Sequence, residues 1–187
     1  MRNSKLSHLT SEQKKLRKKF QGALFNIVYR IENQESYCDV TVCDEWQRDF
    51  ENFYDWCLDN YVEGWQIDKD LLSGDEKIYS PDTCLFVPPE VNAFYREPYN
   101  KRGFAYKNVI PAGKTGWLFK TTIHGVQLFG TVRRSQEHAY ADYLMFRSGH
   151  LKTLSEKYAE HTKLSLILMR DSTTCEIEAM DIYAKCN

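Results

Sequence analysis

Two runs in the second half of the chain, GWLFKTTI and VQLFGTV, alternate on either side of a His124-Gly125 pair. Period-two alternation interrupted by a two-residue, Gly-bearing turn predicts an antiparallel hairpin with one buried face. A hairpin alone is marginal in water, so other parts of the chain must cover its apolar side. The preceding FAYKNVI predicts a third strand. Residues 135–160 predict a long helix, with Tyr140, Tyr143, Leu144, Leu151, Leu154 and Tyr158 as its apolar stripe. Three strands backed by one helix bury one face of the sheet and leave the other free.

The N-terminal half reads differently. Leu16, Phe20, Ala23, Leu24, Ile27, Val28 and Ile31 recur at helical spacing over residues 11–32, and Thr10 or Ser11 is placed to cap the start. A short strand is expected around Val40–Val42, then a second helix over residues 45–60 with Trp46, Phe50, Phe53, Tyr54, Cys57 and Leu58 on one stripe. WQIDKDLLSGDEKIYSPDTCLFVP reads as strand, polar turn and Ser-Pro turn, and PPEVNAFYRE as a short helix. The stretch EPYNKRGFAYKNVIPAGKTG, rich in Pro and Gly, marks the boundary between domains at 1–98 and 99–187. KLSLILMRDSTTCEIEAMDIY fits either a strand or a short helix. The fold class is α+β: a largely helical N-terminal part with short strands, then a three-stranded antiparallel sheet packed on one long helix.

Net charge is -1 over 187 residues, yet it is strongly segregated. Residues 1–30 carry +7, residues 31–98 carry -13 and residues 99–187 carry +5. Basic ends suit phosphate, whereas the acidic middle repels it unless a cation or a basic protein intervenes. With 42% hydrophobic and 27% charged residues the chain has the mix of a globular protein, not a disordered tail. No apolar run approaches the ~18 residues that span a bilayer, and MRNSKLSHLTSEQKK has no apolar core. The expectation is a cytoplasmic protein with no membrane partner, whose six cysteines stay reduced.

If Trp117, Phe119, Thr121 and Ile123 face the helix, then Leu118, Lys120, Thr122 and His124 face outward, and Gln127, Arg133 and Arg134 extend that outer side. Lys, Arg, Gln and Thr are side chains that reach base edges and phosphates when a strand ribbon lies in the major groove. Lys14, Lys15, Arg17, Lys18 and Lys19 in the first turns of the N-terminal helix oppose its dipole, which an anionic partner would offset, with Lys14, Lys15 and Lys18 as the expected DNA contacts. Carboxylates at Asp68, Asp70, Asp75, Glu76 and Asp82 are hard ligands for a magnesium-like ion, although a solvated acidic turn has the same composition. Cys38 and Cys43 lack the compact spacing of a zinc pair, and no Gly-rich phosphate loop or hydrolase triad is present.

TVCDEW…FENFYDW…GWQIDKDLLSGDEKIYSPDTCLFVPPEVNAF, about residues 36–96, resembles the HNH-type (His-Asn-His) homing endonucleases of bacteriophages. GWLFKTTIHGVQLFGTVRRSQEHAYADYLMF resembles the DNA-binding domain of the plant ethylene-response-factor type that follows this module in many of them, although Arg133-Arg134 replaces the usual acidic-Thr helix entry. The resemblance implies a helical and ββα-metal-like HNH module in the N-terminal part, a β-hairpin and helix gripping one divalent ion, Mg2+, with Asp68 as metal-binding carboxylate. By it, Lys69 falls where the general-base His belongs and Thr83 where the Asn belongs. A lysine, ordinarily near 10.4, stays protonated at neutral pH, and lowering it three units takes about 4 kcal/mol of environment. Thr is a weaker metal ligand than the Asn carbonyl. The resemblance therefore implies a phage-type protein that binds double-stranded DNA with a weakened nuclease site, located in the host cytoplasm. Two alternatives stand beside it: an active magnesium-dependent endonuclease, or an interaction protein whose acidic middle binds a host protein.

Overall fold

The computed structural model describes residues 9–74, 76–96 and 105–186. It is a mixed helix and sheet protein, and the chain divides into two compact units, residues 1–88 and 89–187.

In the first unit, α1 spans Ser11–Asn33. Thr10 and Gln13 close a capping box: Gln13 N–H donates to Thr10 Oγ1 at 3.2 Å, and Thr10 N–H donates to Gln13 Oε1 at 2.9 Å. The helix buries Phe20 and Ile27. A short strand, β1 (Thr41–Val42), leads into α2 (Asp44–Arg48) and α3 (Phe50–Asn60). The single helix expected over residues 45–60 is thus two. Asp49 is extended (φ -142°, ψ 116°), and its carboxylate caps α3 by accepting from Glu51 N–H at 3.0 Å. After α3 come β2 (Gln66–Asp68), the one-turn α4 (Asp70–Ser73), β3 (Ile78–Tyr79) and β4 (Leu85–Val87). β1 pairs parallel with β3, and β2 antiparallel with β4, Asp68 lying opposite Leu85.

An aromatic core ties this unit together. Trp46 meets Phe53 edge-on with centroids 4.9 Å apart, and Phe86 stacks on Trp56 at 5.5 Å. Phe20 of α1 packs on Tyr61 at 5.3 Å. The Arg17 guanidinium lies 4.9 Å from the Phe50 and Tyr54 rings and forms a two-point ion pair with Glu51.

The second unit opens with α5 (Pro89–Tyr95). The unit boundary falls at Pro88–Pro89, ahead of the Pro- and Gly-rich segment. The reason is that Glu90 bonds Lys157 and Tyr158, while Tyr95 donates to Asp171 at 2.7 Å. Much of the expected boundary segment, residues 97–104, lies outside the described residues. Strands β5 (Val109–Ala112), β6 (Gly116–Ile123) and β7 (Val126–Phe129) form an antiparallel sheet in the order β5-β6-β7. His124 and Gly125 both have positive φ, 50° and 79°, as a tight hairpin turn with the right twist requires.

Ser135 caps α6 (Gln136–Lys157) by accepting from His138 N–H at 3.2 Å. Phe119 of β6 turns to this helix, its ring 5.3 Å from Phe146 and 6.1 Å from Tyr143. The final segment is neither strand nor short helix. It forms α7 (Thr162–Cys186), so the sheet is accompanied by two long helices, not one. α7 packs along α6 through small polar residues: Ser172 Oγ donates to the Ser148 carbonyl at 2.9 Å, and Ser155 and Ser165 exchange hydroxyl-to-carbonyl bonds at 2.9 Å each. No disulfide joins the six cysteines, and Cys57, Cys84 and Cys175 are buried. None of the described helices is long and apolar enough to cross a membrane.

Candidate nucleic-acid interface

Strand register fixes which side chains share a face. Phe119 faces α6, so its neighbours Leu118 and Lys120 lie on the opposite side of β6. Lys120 is paired with Phe129, and Thr122 with Gln127, across the β6–β7 ladder. These four therefore sit as two adjacent cross-strand pairs on one face, and Ile110 opposite Leu118 continues it onto β5. Thr122, Gln127 and Phe129 are exposed. The Lys120 ammonium lies 5.6 Å from the Phe129 ring centroid, which holds its stem along the sheet. The face carries a cation, an amide, a hydroxyl and an aromatic ring.

Phe129 is a member the sequence reading missed. Its parity with Gln127 was the available signal, but an aromatic residue in an alternating strand reads as core. It is 56% exposed.

Two expected members of the face stand elsewhere. Arg133 forms an antiparallel bridge with Trp117, exchanging backbone bonds of 2.7 and 2.8 Å, so it shares the helix side of the sheet. Its guanidinium grips Asp142 of α6 at 2.7 and 3.0 Å, and Tyr183 of α7 donates to the same carboxylate at 2.5 Å. Arg133 is a structural cation, because β7 ends before it and the bridge residue returns to the parity of Trp117. His124 leaves the alternation at the turn, its Nε2 3.6 Å from the Glu90 carboxylate. Arg134 is exposed beside Arg133.

The basic turns of α1 are likewise divided. Lys14, Lys15 and Lys18 are exposed. Arg17 is committed to Glu51, and Lys19 donates to the Tyr61 hydroxyl at 2.6 Å. Arg17 is thereby tied to α3, and Lys19 to the residue that follows it.

Asp68, Lys69 and Thr83 occupy a different kind of place. Asp68 Oδ1 accepts from the N–H groups of Asp70 at 2.9 Å and Leu71 at 3.0 Å, which starts α4. Burial pushes the Asp68 carboxyl up from its usual range, against these two bonds. Lys69 is buried, and its ammonium is bonded to the neighbouring Asp70. Thr83 is buried in the turn before β4, its hydroxyl donating to the Ile78 carbonyl at 2.6 Å and accepting from Ser80 N–H at 3.0 Å. Mg2+ keeps several waters and is bound by protein through one or two carboxylates. Here one oxygen of the lone carboxylate is engaged by backbone, and the other two side chains are a paired ammonium and a bonded hydroxyl. Of the three, only Asp68 could offer Mg2+ a carboxylate oxygen, and the Lys69 ammonium is no ligand. Asp75 lies outside the described residues, and among those residues no three His, Cys, Asp or Glu side chains converge as a metal-holding group.

No family model, curated protein or solved structure matches the chain. The site is therefore read from its own chemistry.

Proposed function

We propose that this chain is a double-stranded-DNA-binding protein that presents the outer face of its β5–β6–β7 sheet to a groove. The supporting observation is the pairing of Lys120 with Phe129 and Thr122 with Gln127 on the side of the sheet away from α6. Three strands about 4.8 Å apart span roughly 10 Å, which suits a major groove about 12 Å wide. In that reading Gln127 and Thr122 meet base edges, Lys120 meets phosphate or a guanine edge, and Phe129 meets a thymine methyl. Arg134, Lys14, Lys15 and Lys18 add phosphate contacts that carry no sequence information.

Anisotropy titration of a labelled duplex tests it. Affinity should fall steeply as salt rises, because each neutralised phosphate releases counterions. Gln127→Ala should cost about 1–3 kcal/mol and relax sequence preference. Salt-independent binding, or binding indifferent to Lys120 and Gln127, would sink the reading.

The same proposal gives Asp68, Lys69 and Thr83 a structural role and no cleavage chemistry. Incubated with duplex DNA and magnesium, the wild type and Asp68→Ala should leave the strands equally intact. Nicking that disappears in the variant would instead support the endonuclease alternative.

A second reading rests on the exposed carboxylates of the α2–α3 region, Asp44, Glu45, Asp49, Asp55 and Asp59, which suit a basic protein surface. A host protein captured from nuclease-treated lysate and lost with Asp55→Lys/Asp59→Lys would favour it.

A further inference from the structure

α7 has two apolar sides. One, with Leu164, Leu168, Cys175 and Ala179, is buried. On the opposite side, Leu166, Met169, Ile177 and Met180 are 65%, 37%, 57% and 55% exposed, with exposed Thr173 at their centre. Their spacing of three and four residues keeps them in one stripe along a helix about 37 Å long. A continuous apolar stripe of this kind is a contact surface by default.

The flanking charges choose its occupant. Lys163 and Asp181 are both exposed and lie 18 residues, or about five whole turns, apart, so they border the stripe on the same flank at opposite ends. We propose that α7 pairs antiparallel with α7 of a second copy of this chain, about a two-fold axis passing Thr173. That register sets Leu166 against Met180 of the other copy, Met169 against Ile177, and Thr173 against itself. It also brings Lys163 within reach of the other copy's Asp181, and the symmetry makes that ion pair twice. A parallel pair, whose two-fold runs along the helices, would put the two charged flanks on opposite sides of the seam, so neither Lys163 nor Asp181 would meet an opposite charge. Two helices in contact over this length bury on the order of 1,000 Å² in total, the lower end of a specific interface, and the proposal expects a weak dimer with roughly micromolar affinity. This pairing stands apart from the DNA reading.

Sedimentation equilibrium of the full chain across the micromolar range tests it, with circular dichroism to confirm that each variant stays folded. The wild type should show a concentration-dependent dimer. Ile177→Glu, at an exposed position, should weaken it by about a hundredfold, since it sets two carboxylates in the apolar seam. Lys163→Glu and Asp181→Lys should each weaken it about tenfold, and Lys163→Glu/Asp181→Lys together should restore it. A wild type that stays monomeric up to hundreds of micromolar (far above that affinity), or a dimer untouched by Ile177→Glu, would overturn the proposal. A double swap that fails to recover the dimer would overturn the antiparallel register.

Discussion

Glu90 and Asp68 show how opposite environments act on the same functional group. Burial pushes the Glu90 carboxyl up, but the hydrogen bonds from Lys157 and Tyr158 and the charges of Lys157 and His124 outweigh it and hold the group below its ordinary value. A depressed folded value means stabilisation that is present above the ordinary 4.5 and lost as pH falls through the folded value. Thermal unfolding should therefore show Glu90→Gln less stable than the wild type at neutral pH, with the gap closing as the pH falls from 4.5 through the lowered folded value. A gap that stays constant with pH would detach it from the carboxylate charge. For Asp68 the sign reverses, because burial raises it. Its folded form favours the proton, so its contribution is fully present at acid pH and fades as pH rises through the raised value. Asn at this position still offers an oxygen to the Asp70 and Leu71 N–H groups. Asp68→Asn should match or exceed the wild type in unfolding temperature at pH 7, and a large loss would mean that the anion itself is needed. From the sequence, Asp68 was legible as a special position. Its place as a helix-starting acceptor was not, because that depends on a single turn of helix, α4, too short to leave a periodic pattern.

At the level of elements, alternation and capping were readable wherever a strand or helix was long. The hairpin turns at His124-Gly125 as expected, Thr10 caps α1, and α6 runs over Gln136–Lys157 within the expected 135–160. The reading failed where small polar residues do the packing. Ser148 and Ser155 of α6 meet Ser172 and Ser165 of α7 and let the helices approach closely, but in sequence Ser165 and Ser172 interrupt the apolar stripe of α7. The break at Asp49 was hidden for a related reason: the aromatic stripe continues through it, and only the extended backbone of one residue separates two helices. Gly130 is where β7 gives way to a close approach, since its backbone lies against the Phe119 ring and a Cβ there would overlap it. Phe119 is held by Tyr143 and Phe146 and has little room to retreat. Gly130→Ala should cost about 1–3 kcal/mol in urea unfolding. An unchanged midpoint would show that the ring does shift.

Across the whole molecule, the charge segregation seen in the sequence resolves into separate tasks. Some basic side chains are bonded to partners within the fold, as Arg17, Lys19 and Arg133 are, while Lys14, Lys15, Lys18 and Arg134 are exposed cations on other parts of the surface. Net charge by segment cannot distinguish them, because helical phase and strand parity decide which cation finds a carboxylate. If the exposed lysines meet phosphate, changing Lys14, Lys15 and Lys18 together to Gln should lower affinity evenly across DNA sequences and reduce the salt slope by about 3. An unaltered slope would remove α1 from the interface. The Asp142 carboxylate has a further consequence. It receives Arg133 from the rim of the sheet and Tyr183 from the last turns of α7, so three elements share one anchor. The C-terminal helix is for that reason a lever on the sheet's margin and not an appendage. Replacing the Tyr183 phenol with a phenyl ring would release that lever while leaving the helices where they are.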